Sequence, residues 1–208
     1  MPDGSVAVKK GRKFDQVLAG ARDVFMSRGF EGASVDEIAK QAGVSKATLY
    51  SYFPDKKLLF MEVAKSECSK QAEEILAETS DDDPLEEVLL QIANRFVAFI
   101  TSDFGQRVFR ICVAESDRFP ELGQAFYESG PMLMRGHMIE LLHAAQDRGE
   151  VEIDDFQLAS DQFAELCKAD LHPRMVFSVS RTFTKEETSR VANGAVKTFL
   201  ARYQAPRS

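Results

Sequence analysis

The chain has 208 residues, 44% of them hydrophobic and 28% charged, with a formal net charge of −7. That length can bury a substantial core as one large or two small domains. Three cysteines (Cys68, Cys112 and Cys167) with no CxxC pair argue against a disulfide framework and for a reducing, cytoplasmic setting, and no apolar run approaches the ~20 residues of a membrane span.

The charge is unevenly placed. Through residue 60 there are ten Lys/Arg against seven Asp/Glu, a local +3, whereas the remainder carries sixteen against twenty-six, a local −10. Local sign, not whole-chain charge, governs attraction to a phosphate backbone. In chain order, residues 1–11 read as a mobile basic arm without the apolar stretch of a signal peptide. Lys13 to Arg28 places Phe14, Val17, Leu18, Ala21, Val24 and Phe25 on one helical stripe, closed by Gly29. Ser34 with Glu37 forms an S-x-x-E capping box, and Val35, Ile38, Ala39 and Ala42 continue as a second stripe. Gly43 supplies the positive φ of a tight turn. Ser45 caps a third helix that packs through Leu49 and Phe53 and stops before Pro54.

The third helix turns Lys46, Ala47, Thr48, Tyr50, Ser51 and Tyr52 outward. Small and hydroxylic side chains permit close approach to base edges, and lysine supplies charge for phosphates. In helix-turn-helix geometry the second helix enters the major groove by its N-terminal end, here Ser45 to Thr48.

The body reads as helix after helix: Lys56 to about Thr79, Pro84 to Thr101 after the break Ser80-Asp-Asp-Asp-Pro84, Asp103 to Glu115, and Phe119-Pro120 to about Glu128. Gly130-Pro131 is expected to interrupt. A helix then continues to Arg148 before Gly149, an extended link covers Glu150 to Asp155, a helix capped by Asp154 or Asp155 runs to about Val179, and Lys185 to Tyr203 is the last. The expected class is all-α, with about nine helices: basic arm 1–11, three-helix head 12–58, and helical body 59–208.

The stretch GFEGASVDEIAKQAGVSKATLYSYFPDKKLLF resembles the DNA-binding domain of the tetracycline-repressor (TetR/AcrR) family, whose pattern T/S-x-x-x-I-A-x-x-A-G-V-S-x-x-x-L-Y-x-Y-F-x-x-K-x-x-L is met almost throughout between Ser34 and Leu59. The segments FRICVAESDRFPELGQAFYESGP and GEVEIDDFQLASDQFAELCKAD resemble ligand-binding domains of the AcrR-like branch. The resemblance implies a dimeric regulator whose ligand moves two reading heads apart. It implies phosphate contacts by Ser34, Tyr50 and Lys56, and base-edge contacts by Lys46, Ala47, Thr48 and Tyr52. Ala47 stands where many relatives carry glycine.

Eleven of the sixteen phenylalanines lie from Phe96 onward. Phe96, Phe99, Ile100, Phe109, Cys112, Met134, Met138, Leu141, Phe163, Leu166 and Cys167 are the candidates for an apolar pocket, since Met and Phe adapt to irregular ligands. Asp170 and His172, near the end of a largely apolar helix, could anchor a polar group of a ligand, though a cap or a solvated position is the expected role. Phe163, Leu166 and Leu171, with Val191, Ala192, Ala195 and Phe199, are the expected homodimer interface. Glu140-x-x-His143 is half of a bundle di-iron motif without its second half, so no metal, cofactor or catalytic residue is assigned. The expected function is a dimeric repressor released from a palindromic operator by a small apolar or amphipathic effector. The alternatives are a helical small-molecule-binding protein or enzyme with a non-functional head, an activator, or a regulator controlled by a protein partner.

Overall fold

The computed structural model describes residues 11–77 and 83–206. Residues 1–10 of the expected arm, and residues 80–82 of the expected break, lie outside them. The chain divides between Glu67 and Cys68 into two compact units. Both are helical among the described residues.

The first unit contains α1 (Arg12–Gly32), α2 (Val35–Gln41), α3 (Lys46–Tyr52) and the beginning of α4 (Lys56–Ala77). Gly29, at φ 71 and ψ 175, breaks the α-helical run within α1, where the sequence placed its end. The chain can therefore swing Phe30 inward, where its ring meets Phe25 at 6.0 Å and Phe60 of α4 at 5.1 Å. Phe14 packs on Phe53 at 5.3 Å, and Val17, Ile38, Leu49 and Leu59 fill the middle, all fully buried. Removing each such side chain from water contributes roughly 2 kcal/mol. The closest crossing of α1 with α2 is at Gly20: a Cβ there would stand 2.6 Å from the Ala42 backbone nitrogen. Glu67 of α4 and Arg22 of α1 form an ion pair at 2.6 Å.

The second unit contains α5 (Leu85–Thr101), α6 (Asp103–Glu115), α7 (Pro120–Tyr127), α8 (Leu133–Asp147), α9 (Phe156–Leu166), α10 (Leu171–Val176) and α11 (Lys185–Tyr203). Leu89 and Val97 of α5, Leu142 of α8, Phe163 of α9 and Phe199 of α11 share one core. Phe199 stands edge-on to Phe163 at 5.3 Å and tilted on Tyr203 at 4.8 Å. An isolated antiparallel bridge, Val151 with Gln204, ties the α8–α9 link to the end of α11.

Three expectations change here. Gly130-Pro131 does not interrupt: α7 passes into α8 through a π-helical turn, Glu128–Met132, that contains Pro131. The wider turn accommodates a proline that cannot donate a backbone hydrogen bond. The helix expected to reach Val179 instead stops at Leu166, turns at Asp170 (φ 65) and resumes as α10, with Pro173 in the first turn where its missing N–H is tolerated.

The expected dimer surface is also corrected. Phe163, Leu171, Val191, Ala192, Ala195 and Phe199 are buried within this single chain, and Leu166 is half-buried against the same core. Their apolar stripes face each other and α5, so the chain's own core covers most of the surface expected to meet a second copy.

The start of α11 is fixed by a reciprocal box: Thr184 Oγ1 accepts from the Glu187 backbone at 3.2 Å, and Glu187 accepts from the Thr184 backbone at 2.8 Å. That backbone bond, then Arg174, holds the Glu187 carboxyl below its ordinary value of 4.5. A depressed folded-state pKa gives stability that is present above 4.5 and lost as pH falls through the folded value. Glu187→Gln should therefore lower the denaturation midpoint at neutral pH, and the gap to wild type should close on acidification below that value. Urea melts across pH would check it.

Candidate nucleic-acid interface and cavity

The reading pair is assembled by its caps. Ser34 Oγ accepts from the Glu37 backbone at 3.1 Å and starts α2. The Glu37 carboxylate, expected to complete the box, instead accepts from Arg28 Nε at 3.3 Å. Gly43 turns the chain at φ 64, and Val44 donates back to the Ala39 carbonyl at 3.0 Å. Ser45 Oγ accepts from the Thr48 backbone at 3.1 Å and starts α3. Leu49 and Phe53 anchor α3 from beneath, both buried.

The opposite side of α3 is open. Ser45, Lys46, Ala47, Tyr50 and Ser51 are exposed, Tyr50 at 49%, and Thr48 is half-buried. The hydroxyls are held in place: Ser45 and Thr48 share a hydrogen bond at 2.8 Å, and Ser51 donates to the Thr48 carbonyl at 2.7 Å. Lys46 pairs with Asp36 at the beginning of α2. Exposed pairs of this kind are worth little and exchange readily for another anion.

Two expected contact residues sit differently. Tyr52 is half-buried, its ring edge-on to Phe14 at 5.8 Å. Lys56 turns inward: its ammonium donates to the carbonyls of Phe30 at 2.9 Å and Ala33 at 3.1 Å, and lies 4.4 Å from the centre of the Phe30 ring. It closes the α1–α2 link onto α4, joining two carbonyls at the end of α1. Lys56→Met should therefore lower the melting temperature and weaken DNA binding while leaving its salt dependence unchanged. A slope reduced by about one would instead identify a phosphate contact.

The second unit encloses a cavity of about 510 Å³. Of the eleven residues expected around a pocket, Phe96, Phe99, Ile100, Phe109 and Met134 line it. Cys112, Met138, Phe163 and Cys167 are buried elsewhere, while Leu141 and Leu166 pack half-buried on the core. Burial pushes the Cys167 thiol up to about 12, against the opposing charge of Lys168, and leaves it unreactive.

Of the cavity's polar border, the sequence offered only His172 as a candidate polar anchor. Arg135 forks onto Asp161 at 2.8 and 2.9 Å and also donates to the Tyr127 hydroxyl at 3.1 Å. The π turn contributes Ser129, Gly130 and Pro131 to the wall. His172, weighed from sequence as a polar anchor but expected as a cap or solvated, lines the cavity edge-on to Phe109 at 5.0 Å. A proline inside an apolar helical run was the available signal for a distorted, wall-forming turn. Among the described residues no group of His, Cys, Asp and Glu could hold a metal ion.

Residues 17–63 match the family described as bacterial regulatory proteins, tetR family, and residues 87–205 match the AefR-like transcriptional repressor C-terminal domain. The chain belongs to the TetR family. A TetR-family regulator from Mesorhizobium loti is 32% identical, with 93% of this chain and 98% of that one covered and a TM-score of 0.77. The flavonoid-responsive regulator FrrA is 34% identical, with 96% and 100% covered and a TM-score of 0.65. The transcriptional activator FasR of Mycolicibacterium smegmatis is 48% identical over 48 residues, 23% of this chain and 22% of its own length. The match thus spans under a quarter of that curated relative, and it falls short of two thirds of the next curated relatives too. The AefR-like match of the body agrees with the expected TetR/AcrR-type ligand-binding domain. This TetR-family chain is a transcriptional regulator with a helix-turn-helix head, not an enzyme.

Proposed function

We propose that the chain represses transcription as a homodimer on a two-fold symmetric operator and is released by a small effector held in the cavity of the second unit. The single observation that carries this reading is the exposed Ser45–Thr48 edge of α3, kept rigid by its cap and its shared hydroxyl bond. In this reading Lys46, Ala47 and Thr48 meet base edges, with Tyr52 at the margin. Ser34, Ser45, Tyr50 and Ser51 meet phosphates. Lys46 exchanges Asp36 for DNA, and Lys56 acts by holding the head in shape.

Pairing has a geometric reason, because two such helices reach successive major grooves 34–36 Å apart. With the α9 and α11 stripes buried, apolar side chains left outside are the better candidates for a dimer contact: Leu158 on α9, and Phe177 and Val179 after α10, 78% and 74% exposed. The effector reading is supported by the cavity and by FrrA, a near-full-length relative described as responsive to flavonoids. The AefR-like repressor match supports repression, while the likeness of the head to the activator FasR keeps activation as a second reading.

The test is to sequence genomic DNA recovered on the purified protein and confirm the site by mobility shift. A near-palindrome bound by two copies is expected. Thr48→Val should change the preferred base at one position in each half-site, and an equal loss across all sequences would reject base reading by α3.

A further inference from the structure

The cavity's polar groups specify the kind of molecule it takes. Gln106 of α6 lines it and is only 8% exposed. Its amide nitrogen donates to two backbone carbonyls, Thr101 at 2.8 Å and Arg181 at 2.9 Å. Both partners are pure acceptors, so the NH₂ must face them, and Oε1 is left as an acceptor with no hydrogen bond among the described residues. That oxygen keeps its acceptor capacity for a donor brought into the cavity.

His172, on the wall beside Phe109, is the second such group. Its imidazole makes no side-chain hydrogen bond among the described residues. Burial first, then Lys168, hold its pKa below the ordinary 6.5 against the opposing Glu165, so it offers one donor and one acceptor as a neutral ring.

The cationic side chains around the cavity are already engaged. Arg135 is forked on Asp161, and Lys168 pairs with Glu165 at 2.6 Å. Arg110 donates to the Met175 carbonyl at 2.5 Å and to Ser178 Oγ at 3.0 Å, and Arg95 also has a partner. An anionic headgroup would have to displace Asp161 from Arg135 or break the bonds of Arg110, whereas a hydroxyl would complete the unfilled ones.

We infer that the cavity selects a neutral hydroxylated aromatic molecule over an apolar or an acidic one, its rings packed on Phe96, Phe99 and Phe109 and its hydroxyl groups bonded to Gln106 Oε1 and the His172 imidazole. This rests on the cavity being the effector site proposed above. Selectivity of this kind follows because a site that hydrogen-bonds a ligand hydroxyl rejects the analogue lacking it more sharply than apolar shape does.

The test is calorimetric titration of the full-length protein with naphthalene, β-naphthol and β-naphthoate, three probes with one ring system and three polar endings. β-Naphthol should bind about tenfold more tightly than either of the others, as one well-placed net hydrogen bond allows. His172→Phe preserves the ring edge on Phe109 and should bring β-naphthol down to the level of naphthalene. Gln106→Met should do the same with a lower melting temperature, since it also loses the bonds to Thr101 and Arg181.

Equal or tighter binding of β-naphthoate, or β-naphthol affinity untouched by His172→Phe, overturns the inference while the effector cavity stands. Ala164→Trp fills the cavity. If that variant binds all three probes as wild type does, or if wild type binds none of them, the effector reading itself falls.

Discussion

Gly20→Ala should destabilise the DNA-binding head by about 2 kcal/mol and abolish operator binding. In an ordinary helix interior the same change would stabilise by up to ~1 kcal/mol, because alanine has less backbone entropy to lose. At Gly20 the added methyl would stand 2.6, 2.7 and 2.8 Å from the nitrogen, Cα and Cβ of Ala42. Two of these atoms are backbone, at the end of α2 and directly before the Gly43 turn, so no side-chain rotation relieves the clash. Relief requires α2 to move off α1, and α3 is carried with it through the tight turn. Gly32→Ala is the control, since its Cβ would meet Arg28 Cβ at an ordinary 3.5 Å. Urea melts and mobility shifts should separate the two. A Gly20→Ala protein with wild-type stability and binding would show that α2 is free to shift against α1.

Gly105→Ala should cost about 3 kcal/mol in the second unit and remove probe binding in the cavity. A Cβ at Gly105 would lie 2.2 Å from the Phe99 carbonyl oxygen, well inside any permitted contact. That carbonyl accepts from Ser102 Oγ at 2.7 Å, and the same Oγ accepts from the Gly105 backbone at 3.0 Å. The corner between α5 and α6 would open, and with it the relation between Phe99 on one helix and Gln106 and Phe109 on the other. Gly136→Ala on α8 is the counter-case: nothing lies within 4 Å of its Cβ, and a gain approaching ~1 kcal/mol is expected. Opposite signs for one chemical exchange would tie both effects to space. Equal signs would overturn the corner argument.

Much of the local structure was legible in the chain. The bounds Asp103–Glu115 and Lys185–Tyr203 are read at the residue, the cap at Ser45 and the turn at Gly43 are where the sequence puts them, and the open face of α3 follows from Leu49 and Phe53 lying beneath it. The reason is that caps, breakers and a 3.6-residue stripe are short-range properties, decided within one or two turns.

What each stripe packs against was not legible. Phe163, Val191 and Phe199 look the same in sequence whether they meet their own chain or a second copy, and only the fold shows that their own chain covers them. Met134 and Met138 are one turn apart on α8, yet one borders the cavity and the other the core. Lys56 reads as a free cation until two carbonyls at the end of α1 come within reach of it. The sequence by itself determined most of the helices, many of their caps and the open face of α3, since those depend on neighbours along the chain. The tertiary structure alone decided which apolar faces are core, where a cavity remains and which polar atoms on its wall lack a partner, since those depend on residues as far apart as Gln106 and Arg181.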